Sequence, residues 1–265
     1  EKAHELGLDG VQINVIKDYG LDEKWGALES ASDEHLNKIK ELLRKYGMYI
    51  ELDMRNLDYD RLVEVLEVAN KLGAEVVRSY IPIKPAKNIE ISSGAEGAYD
   101  FAKVRCDFDE NSYVEGIEKV RKIIPLLEKY RIKLALENHE YETSEELVRV
   151  IKEINSQWVG LLYDFGNSMM AWEEPVKAAE NMAPYTYSTH FKDHIIIEEP
   201  NDKYGYVVCG VPAGTGNIDL KTCFNIMMKK SSLTRINVES CYPYCAQFKR
   251  SPGAGGVFKV GEGAF

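Results

Sequence analysis

Four residues that could bind a metal ion stand near the ends of four separate β-rich runs in the second half of the sequence. They are Glu137, Asp164, His190 and Glu239. Three carboxylates and one imidazole would be costly to bury together unless a cation compensated their negative charge. This mixture of oxygen and nitrogen donors suits Mn²⁺, Mg²⁺, Zn²⁺ or Co²⁺. The sequence therefore predicts that a divalent metal ion binds where these residues converge.

Two of the predicted ligands share a strand face with a further polar residue, because side chains two positions apart on a strand point the same way. Glu137 precedes His139 by two positions, and His190 precedes Lys192 by two. A lone acidic or imidazole side chain at a strand end is usually solvated, but a series on successive strands indicates a common site. Further inward polar residues would form a pocket suited to a polyol. All but the last two of them come from earlier runs: Gln12, Asn14, Glu51, Asp53, Arg55, Arg78, Tyr80, Ser188 and Asn237.

These residues need a scaffold in which strand ends meet, and β-rich runs alternate with amphipathic helical stretches almost throughout the sequence. This alternation is typical of βαβ units around a parallel sheet. We predict an α/β fold, a (β/α)8 TIM barrel, as one domain over residues 1–265 with residues 242–265 as a carboxyl-terminal loop or arm. The predicted strands cover residues 11–16, 48–54, 75–81, 132–139, 159–165, 187–192 and 235–241.

A closed barrel has eight strands, and the sequence shows seven. Because the chain opens in a helical stretch at residues 1–6, we expect the first strand of the barrel to be missing from this sequence. Ser32, and Thr143 with the glutamate three residues later, are expected to cap two helices. Long connections at residues 82–109 and 194–216 follow strands, so we expect them at the carboxyl end of the barrel, where barrel enzymes hold their active sites.

Composition narrows the classes of function. The formal net charge of -10 argues against a nucleic acid as partner. No run approaches the roughly 18 apolar residues of a membrane-spanning helix, and no signal-peptide pattern is found, so we expect a cytoplasmic protein. The irregular spacing of the cysteines predicts free, buried thiols in a reducing compartment rather than disulfides or a metal site: Cys106, Cys209, Cys223, Cys241 and Cys245.

Five segments occur in an order that is more specific than any one of them: LENH at 136–139, YDFGN at 163–167, HFKD at 190–193, GTGNID at 214–219 and NVE at 237–239. In this set the sequence resembles the xylose isomerase-like TIM barrels, a family of sugar phosphate isomerases and epimerases. The resemblance implies that Lys192 and Asp193 lie beside the metal. It also implies an ion, commonly Mn²⁺, that chelates two adjacent oxygens of a hydroxy-ketone and is held by Glu137, Asp164, His190 and Glu239.

The sequence indicates the site more clearly than the reaction. The same metal can polarise a carbonyl for isomerisation, epimerisation, elimination or decarboxylation, each through an enediolate or enolate. Ketose 3-epimerases typically carry an Asn–Arg pair after the first ligand, whereas Glu137 is followed by Asn138, His139 and Glu140. This difference weakens the epimerase interpretation. The related DNA-repair endonucleases need a histidine-rich zinc cluster, and only five histidines are present, so that interpretation is rejected.

The ligand Glu137 followed by Asn138 and His139 also resembles the catalytic subunit of C-glycoside deglycosidases, which act on 3-oxo-glycosides, and related decarboxylases of oxidised branched sugars. The deglycosidase resemblance implies a small second subunit and an aromatic aglycone near the rim. A homo-oligomer is the other expected assembly. Aromatic residues that could form the aglycone surface, or simply pack in the core, are Tyr80, Trp172, Tyr204, Tyr206, Tyr242 and Tyr244.

We expect His139 to be the general acid/base, because imidazole titrates near neutrality and His139 lies toward the open rim. Lys192 is expected to stabilise an oxyanion, and Glu137 or Glu239 remain as other proton carriers. The glycines at 214 and 216 lack a dinucleotide or P-loop fingerprint, so we predict a turn and no nucleotide cofactor. The alternative from a different class is a non-catalytic sugar-binding or scaffold subunit with the same barrel.

Overall fold

The chain folds around a sheet of parallel strands with helices packed on its outer face. The structure, a computed structural model, describes residues 1–15, 28–83 and 110–265. Each strand pairs with the next along the chain, in the order β1 Gly10–Asn14, β2 Tyr49–Asp53, β3 Val76–Ser79, β4 Lys133–Glu137, β5 Val159–Asp164 and β6 Thr186–His190. The helices are α1 Lys2–Glu5, α2 Asp33–Tyr46, α3 Tyr59–Leu72, α4 Asn111–Tyr130, α5 Ser144–Ile154, α6 Pro175–Met182 and α7 Leu220–Lys230. Parallel neighbours joined through helices form a TIM-barrel arrangement, which confirms the predicted fold class.

Strand side chains alternate between two faces as predicted. On β4, Leu134 and Leu136 belong to the large core between sheet and helices, whereas Ala135 joins Val76 and Leu162 in a separate small cluster. The neighbouring strand β5 is buried along its whole length. Because both faces of these strands are packed, the residues at their carboxyl ends start from a rigid support.

The predicted helix caps are present. The Ser32 side chain accepts a hydrogen bond from the backbone N–H of His35 at 3.2 Å, at the start of α2. Thr143 and Glu146 form a reciprocal capping box at the start of α5. Each such cap stabilises a helix by about 1 kcal/mol. The box also fixes the turn that leads from β4, and hence from Glu137, into α5.

Two predicted elements differ from the structure. Residues 235–241 do not form a full strand; they make one parallel bridge, between Val238 and Phe191. Its hydrogen bonds run from Phe191 N–H to the Asn237 carbonyl at 2.8 Å and from Glu239 N–H to the Phe191 carbonyl at 3.1 Å. The connection predicted at residues 194–216 instead contains an antiparallel hairpin, β7 Asp193–Glu198 and β8 Tyr206–Val211. Of the other long connection, residues 84–109 lie outside the described residues.

The prediction of free thiols is wrong for two cysteines. Cys209 on β8 lies opposite Cys245 on the short strand β9 Cys245–Ala246, and the two form a disulfide. Irregular spacing in sequence did not reveal this pair, because antiparallel pairing brings together residues that are far apart along the chain. Cys223 and Cys241 are free, and Cys106 lies outside the described residues.

The carboxyl-terminal residues pack against the segment between β5 and α6. Phe248 stacks on Trp172 with ring centroids 4.0 Å apart, and Phe265 lies 5.8 Å from the same indole. The Ala264 N–H donates to the Glu174 carboxylate at 2.9 Å. Across the described parts of the chain, no helix is long and apolar enough to cross a membrane.

Candidate metal centre

Three of the predicted ligands lie side by side at the carboxyl ends of adjacent strands. Glu137 ends β4, Asp164 ends β5 and His190 ends β6. Asp164 and His190 are direct partners in the parallel register. Each residue offers one ligand atom, and these atoms all lie within 4.8 Å of one another. All three residues are buried, so the group could hold a metal ion away from bulk solvent.

Asp164 is held so that one carboxylate oxygen is committed and the other is left for the site. Its Oδ1 accepts hydrogen bonds from the backbone N–H groups of Gly166 and Asn167 at 2.9 and 3.0 Å. The Asn138 side chain bonds to both the N–H and the carbonyl of Asp164, at 2.8 and 3.1 Å. The buried Oδ2 has no hydrogen bond of good geometry, although Lys192 Nζ lies 2.6 Å away. A buried oxygen in this state is suited to a metal ion.

His190 also presents one nitrogen to the site. Gln12 donates from Nε2 to Glu51 at 3.1 Å, which directs Gln12 Oε1 toward His190 Nε2 at 2.6 Å. His190 Nε2 therefore carries the proton, and Nδ1 faces Glu137 Oε1 at 2.8 Å. A neutral imidazole nitrogen and a carboxylate oxygen both offer lone pairs, so their approach calls for a cation or a proton between them. Fixing one ring nitrogen by a hydrogen bond is typical of metal-binding histidines.

Glu239 is adjacent to this group but is held differently. Its Oε2 lies 3.5 Å from His190 Nδ1 and contacts the Lys192 ammonium, and its side chain is 40% exposed. It lies outside the tight group of three ligand atoms. The four-residue ligand set thus remains a prediction, with Glu239 as the most accessible member.

Two cations balance the carboxylates. The Arg78 guanidinium contacts Glu137 Oε2 and lies 2.6 Å from Asp53. Burial opposes the charge on Lys192, but Asp164 and Glu239 outweigh it and hold the pKa of Lys192 well above its usual range. Burial likewise acts to raise the pKa of Asp164, yet Lys192 and His190 hold that pKa well below its usual range. The carboxylate is therefore in the ionised form that a metal requires.

The donor set fits a divalent ion: it has an imidazole nitrogen with a fixed tautomer and two buried carboxylates, and one oxygen of the Asp164 carboxylate lacks a good hydrogen bond. Hard and borderline cations accept this mixture.

His139 lies at the rim of the site, half-buried against Tyr80. The two rings stack with centroids 4.1 Å apart and an interplanar angle of 8°. Burial, followed by the positive charge of Arg78, lowers the pKa of His139 to about 4. This differs from the expected titration near neutrality. The ring is neutral at pH 7 and would enter a reaction as a base.

Asp193 has hydrogen-bond partners of its own, and its implied place beside the metal stays a prediction. Its Oδ2 accepts the backbone N–H groups of Gly214 and Gly216 at 2.9 and 2.8 Å. The predicted turn at these glycines is present, and an internal carboxylate occupies its N–H groups. Lys192 contacts Asp164 and Glu239 directly.

The polar residues predicted from earlier strands divide into two sets. Glu51 is fully buried and bonds to Ser188 at 2.6 Å and Asn237 at 2.8 Å, forming a network deeper in the barrel than the ligands. Asn14 and Arg55 are exposed. The strand-face rule holds for the first set, whereas Arg55 lies past the last paired residue of β2 and Asn14 is the last paired residue of β1.

The aromatic residues do not form one surface. Trp172 is 2% exposed and packs against Phe248 and Tyr204, which corrects its expected place in an aglycone surface. Tyr80 contacts His139, and Tyr244 donates to Glu140 at 2.6 Å, so these two lie near the rim of the site.

Cys241 was missed as a neighbour of the site. Its Sγ lies 3.4 Å from Lys192 Nζ and 3.7 Å from Glu239 Oε2. It stands two positions after Glu239, so the strand-face rule could have found it. Glu142 was also missed; burial raises the pKa of this residue to about 8, and it accepts the His139 N–H at 2.9 Å. No spacing rule in the sequence singles out Glu142.

Known proteins show which family the chain belongs to. Residues 1–244 match the family described as xylose isomerase-like TIM barrel. The chain belongs to this family. The resemblance seen in the sequence is therefore confirmed, and the ligand group at the ends of β4–β6 is a site within a xylose isomerase-like barrel.

Two proteins are similar to this xylose isomerase-like chain over most of its length. It is 28% identical to the uncharacterized protein YihM of Escherichia coli (strain K12) over 219 residues, 83% of this chain and 58% of that protein. It is 25% identical to the 3-oxo-isoapionate decarboxylase of Pectobacterium atrosepticum over 195 residues, 74% of this chain and 62% of that enzyme. The chain thus spans about three fifths of the length of these relatives.

A solved structure shares the fold. A xylose isomerase-like TIM barrel protein from Mycobacterium smegmatis in complex with magnesium superposes with a TM-score of 0.65 at 21% identity, covering 92% of this chain and 80% of that one. At this identity the likeness shows the fold alone.

Proposed function

We propose that the protein is a divalent-metal-dependent enzyme that moves a proton on a keto-sugar through an enolate, as a lyase of the C-glycoside deglycosidase type. The observation that carries the proposal is the group Glu137, Asp164 and His190, whose ligand atoms lie within 4.8 Å of one another in a buried pocket. The family supports a sugar substrate, and the decarboxylase relative supports carbon–carbon cleavage rather than simple isomerisation.

The proposed ligands are Glu137, Asp164, His190 and Glu239. A bound divalent ion, Mn²⁺ in this proposal, would supply Lewis-acid polarisation of adjacent substrate oxygens. Arg78 keeps one oxygen of Glu137 engaged, so that the other oxygen is the one aimed at His190 and the site.

His139 is the proposed base. It takes a proton from the carbon next to the substrate carbonyl, and the electron pair of that C–H bond moves toward the carbonyl oxygen. Stacking on Tyr80 fixes the plane of the imidazole. A neutral ring can accept this proton at neutral pH. The protonated ring then returns it to the leaving group, when the bond to that group breaks and the carbonyl reforms.

Lys192 is the proposed stabiliser of the oxyanion. Its ammonium is buried and lies between Asp164 and Glu239, so it keeps its charge where negative charge would develop on the substrate oxygen. A charge held in a low-dielectric site stabilises such an oxyanion more than one in water. The sequence difference at His139, where epimerases carry arginine, supports elimination over epimerisation.

The proposal extends to a small companion subunit and an aromatic aglycone near Tyr80 and Tyr244, both of which lie at the rim. Expression with and without the neighbouring gene products, followed by size-exclusion chromatography, tests the subunit separately from the chemistry.

The test of the reaction is turnover of a panel of 3-oxo-glycosides, branched keto-acids and ketoses with added Mn²⁺ in deuterated water. We expect cleavage of a 3-oxo-glycoside, with deuterium in the released leaving group, to which the protonated imidazole returns a solvent-exchanged proton. His139→Ala should retain metal while turnover falls by roughly 10²-fold or more, the scale of a positioned acid/base. His35→Ala, on the exposed face of α2, is the matched control. Sugar binding without turnover across the panel would favour the non-catalytic subunit, and interconversion of ketoses without cleavage would favour an isomerase.

A further inference from the structure

A second cavity opens at the amino end of the sheet, opposite the candidate metal centre. Its volume is about 630 Å³, within the size range of small-molecule sites. Its lining includes Val76 and Lys133 at the starts of β3 and β4, Trp158 just before β5, Tyr187 on β6, and Arg235. These residues enter none of the steps proposed for the metal centre.

A β-bulge places Tyr187 in the wall of this cavity. Leu161 pairs with Thr186 and Leu162 pairs with Ser188, which leaves Tyr187 as the extra residue. Bulges of this kind redirect a side chain. The ring packs against the small inner cluster of Val76, Ala135 and Leu162. Gly160 allows this position, because a Cβ there would collide with the Tyr187 ring.

The cavity carries excess positive charge. Arg131, Lys133 and Arg235 line it together with one acidic residue, Glu75, which gives a net charge of +2. Glu75 is 78% exposed and lies 3.7 Å from Arg235, which is also paired with the buried Glu51 at 2.9 Å. Lys133 Nζ lies 4.2 Å above the Tyr187 ring, and in the part of the chain that is described no carboxylate forms an ion pair with it. One ammonium is therefore available to a ligand.

Trp158 lies in the same wall. Trp158 Nε1 is buried and, in the described structure, has no hydrogen-bond partner. Leaving a buried indole N–H unsatisfied is unfavourable. The Trp158 and Tyr187 rings supply flat apolar surface beside this donor and the Lys133 ammonium.

We infer that this cavity binds a small planar organic carboxylate, with its ring against Tyr187 and Trp158 and its carboxylate near Lys133. The aromatic walls distinguish this ligand from inorganic phosphate, which requires several donors and gains nothing from apolar surface. The ammonium distinguishes it from a neutral aromatic molecule. The site is separate from the metal centre, and its occupation does not depend on the function proposed above.

The probes are benzoate, its neutral isostere benzamide, and inorganic phosphate, each titrated into the full chain labelled with ¹⁵N on tryptophan. Trp158→Phe assigns the indole signal of Trp158. We expect benzoate to shift that signal saturably, benzamide to bind about tenfold more weakly, and phosphate to leave it unchanged. Lys133→Met should weaken benzoate binding about tenfold, the scale of one charged hydrogen bond.

Lys119→Met, on the exposed face of α4, is the matched control and should bind benzoate like the unmodified chain. Lys133→Gln provides a second variant if the methionine variant does not fold, as judged by circular dichroism. Equal binding of benzamide and benzoate, a shift caused by phosphate, an unchanged affinity in both Lys133 variants, or no saturable shift with benzoate would each overturn the inference.

Discussion

Two regions supply the predicted metal ligands in different ways. The strand wall, defined as Glu137, Asp164 and His190, comes from three neighbouring strands and is almost completely buried. The arm, defined as residues 235–246, carries Glu239 beyond a single β-bridge, with that side chain 40% exposed. Strand register fixes the wall before any ligand arrives, whereas the arm is held by one backbone bridge and by side-chain contacts. We therefore expect the wall to determine whether metal binds and the arm to adjust how tightly it binds.

Contacts between side chains connect the arm to the wall. The Lys192 ammonium touches Asp164 in the wall and Glu239 in the arm. Farther along the arm, Tyr244 bonds to Glu140 at 2.6 Å, and the Cys209–Cys245 disulfide joins the arm to β8. These contacts hold Glu239 near the wall without a continuous strand.

Breaking the wall should have the largest effect. In Asp164→Asn the anionic ligand is replaced by a neutral amide, while the hydrogen bonds to Gly166 and Asn167 can be kept. We expect Mn²⁺ affinity to fall by more than about 100-fold, beyond the loss typical of a residue outside the ligand set. Calorimetric titration measures this. Affinity within a few fold of the unmodified chain, in a folded variant, would contradict the comparison.

Removing the Lys192 ammonium, which contacts both wall and arm, should lower turnover without weakening metal binding. In Lys192→Met a positive charge next to the ligands is lost, so we expect Mn²⁺ to bind at least as tightly. Turnover should fall by about 100-fold, because the proposed oxyanion loses its charge partner. Parallel calorimetry and activity measurements test both parts. Unchanged turnover would remove the role of Lys192, and loss of metal would make it a structural support.

Changing the arm should have a smaller effect on metal. Glu239→Gln changes a predicted ligand while the three wall residues remain, so we expect Mn²⁺ affinity to fall by about tenfold, with little change in the free energy of unfolding. The ratio of the Asp164→Asn effect to the Glu239→Gln effect measures the difference between wall and arm. Equal losses in the two variants would refute the distinction.

The smallest expected effect is a dependence of stability on pH at Glu173, which bonds to the start of α5. Burial raises the pKa of Glu173 to about 7, where its carboxyl group bonds to the Ser144 N–H at 2.8 Å at the start of α5. The folded state then binds a proton that the unfolded state, with an ordinary carboxyl pKa, has already released. Between the ordinary carboxyl pKa and about 7, the free energy of unfolding should therefore fall as pH rises. The fall is about 1 kcal/mol from about pH 5 to about pH 6.

Glu173→Gln cannot titrate, so its stability relative to the unmodified chain should rise by that amount over the same interval. Urea denaturation at each pH measures it. Glu118→Gln, with an exposed side chain on α4, is the control. A constant difference between Glu173→Gln and the unmodified chain would show that Glu173 is ionised in the folded state.

The wall could be predicted from the sequence because it depends on local rules. Alternation along β4 placed Glu137 on the inner face and Leu134 and Leu136 on the outer one, and the structure agrees. The capping box at Thr143 was recognisable from spacing alone. Regular strands turn sequence position into direction, so residues at their ends could be assigned to one site.

The arm and the hairpin could not be predicted in the same way. Residues 235–241 have a strand-like composition, yet pairing with Phe191 gives only one bridge, since β pairing depends on partners rather than on local preference. The Cys209–Cys245 disulfide follows from the pairing of β8 with β9, and the burial of Trp172 follows from Phe248 and Phe265, which come about 80 residues or more later in the chain. Such contacts are set by tertiary structure.

The most direct test of the central claim is the metal content of the protein purified without chelator, combined with a calorimetric titration of Mn²⁺ into chelator-treated protein. The strand wall predicts one high-affinity ion per chain and a higher melting temperature on binding, since a ligand that binds only the folded state stabilises it. Metal content far below one ion per chain, together with no heat of binding and no change in melting temperature, would contradict the account.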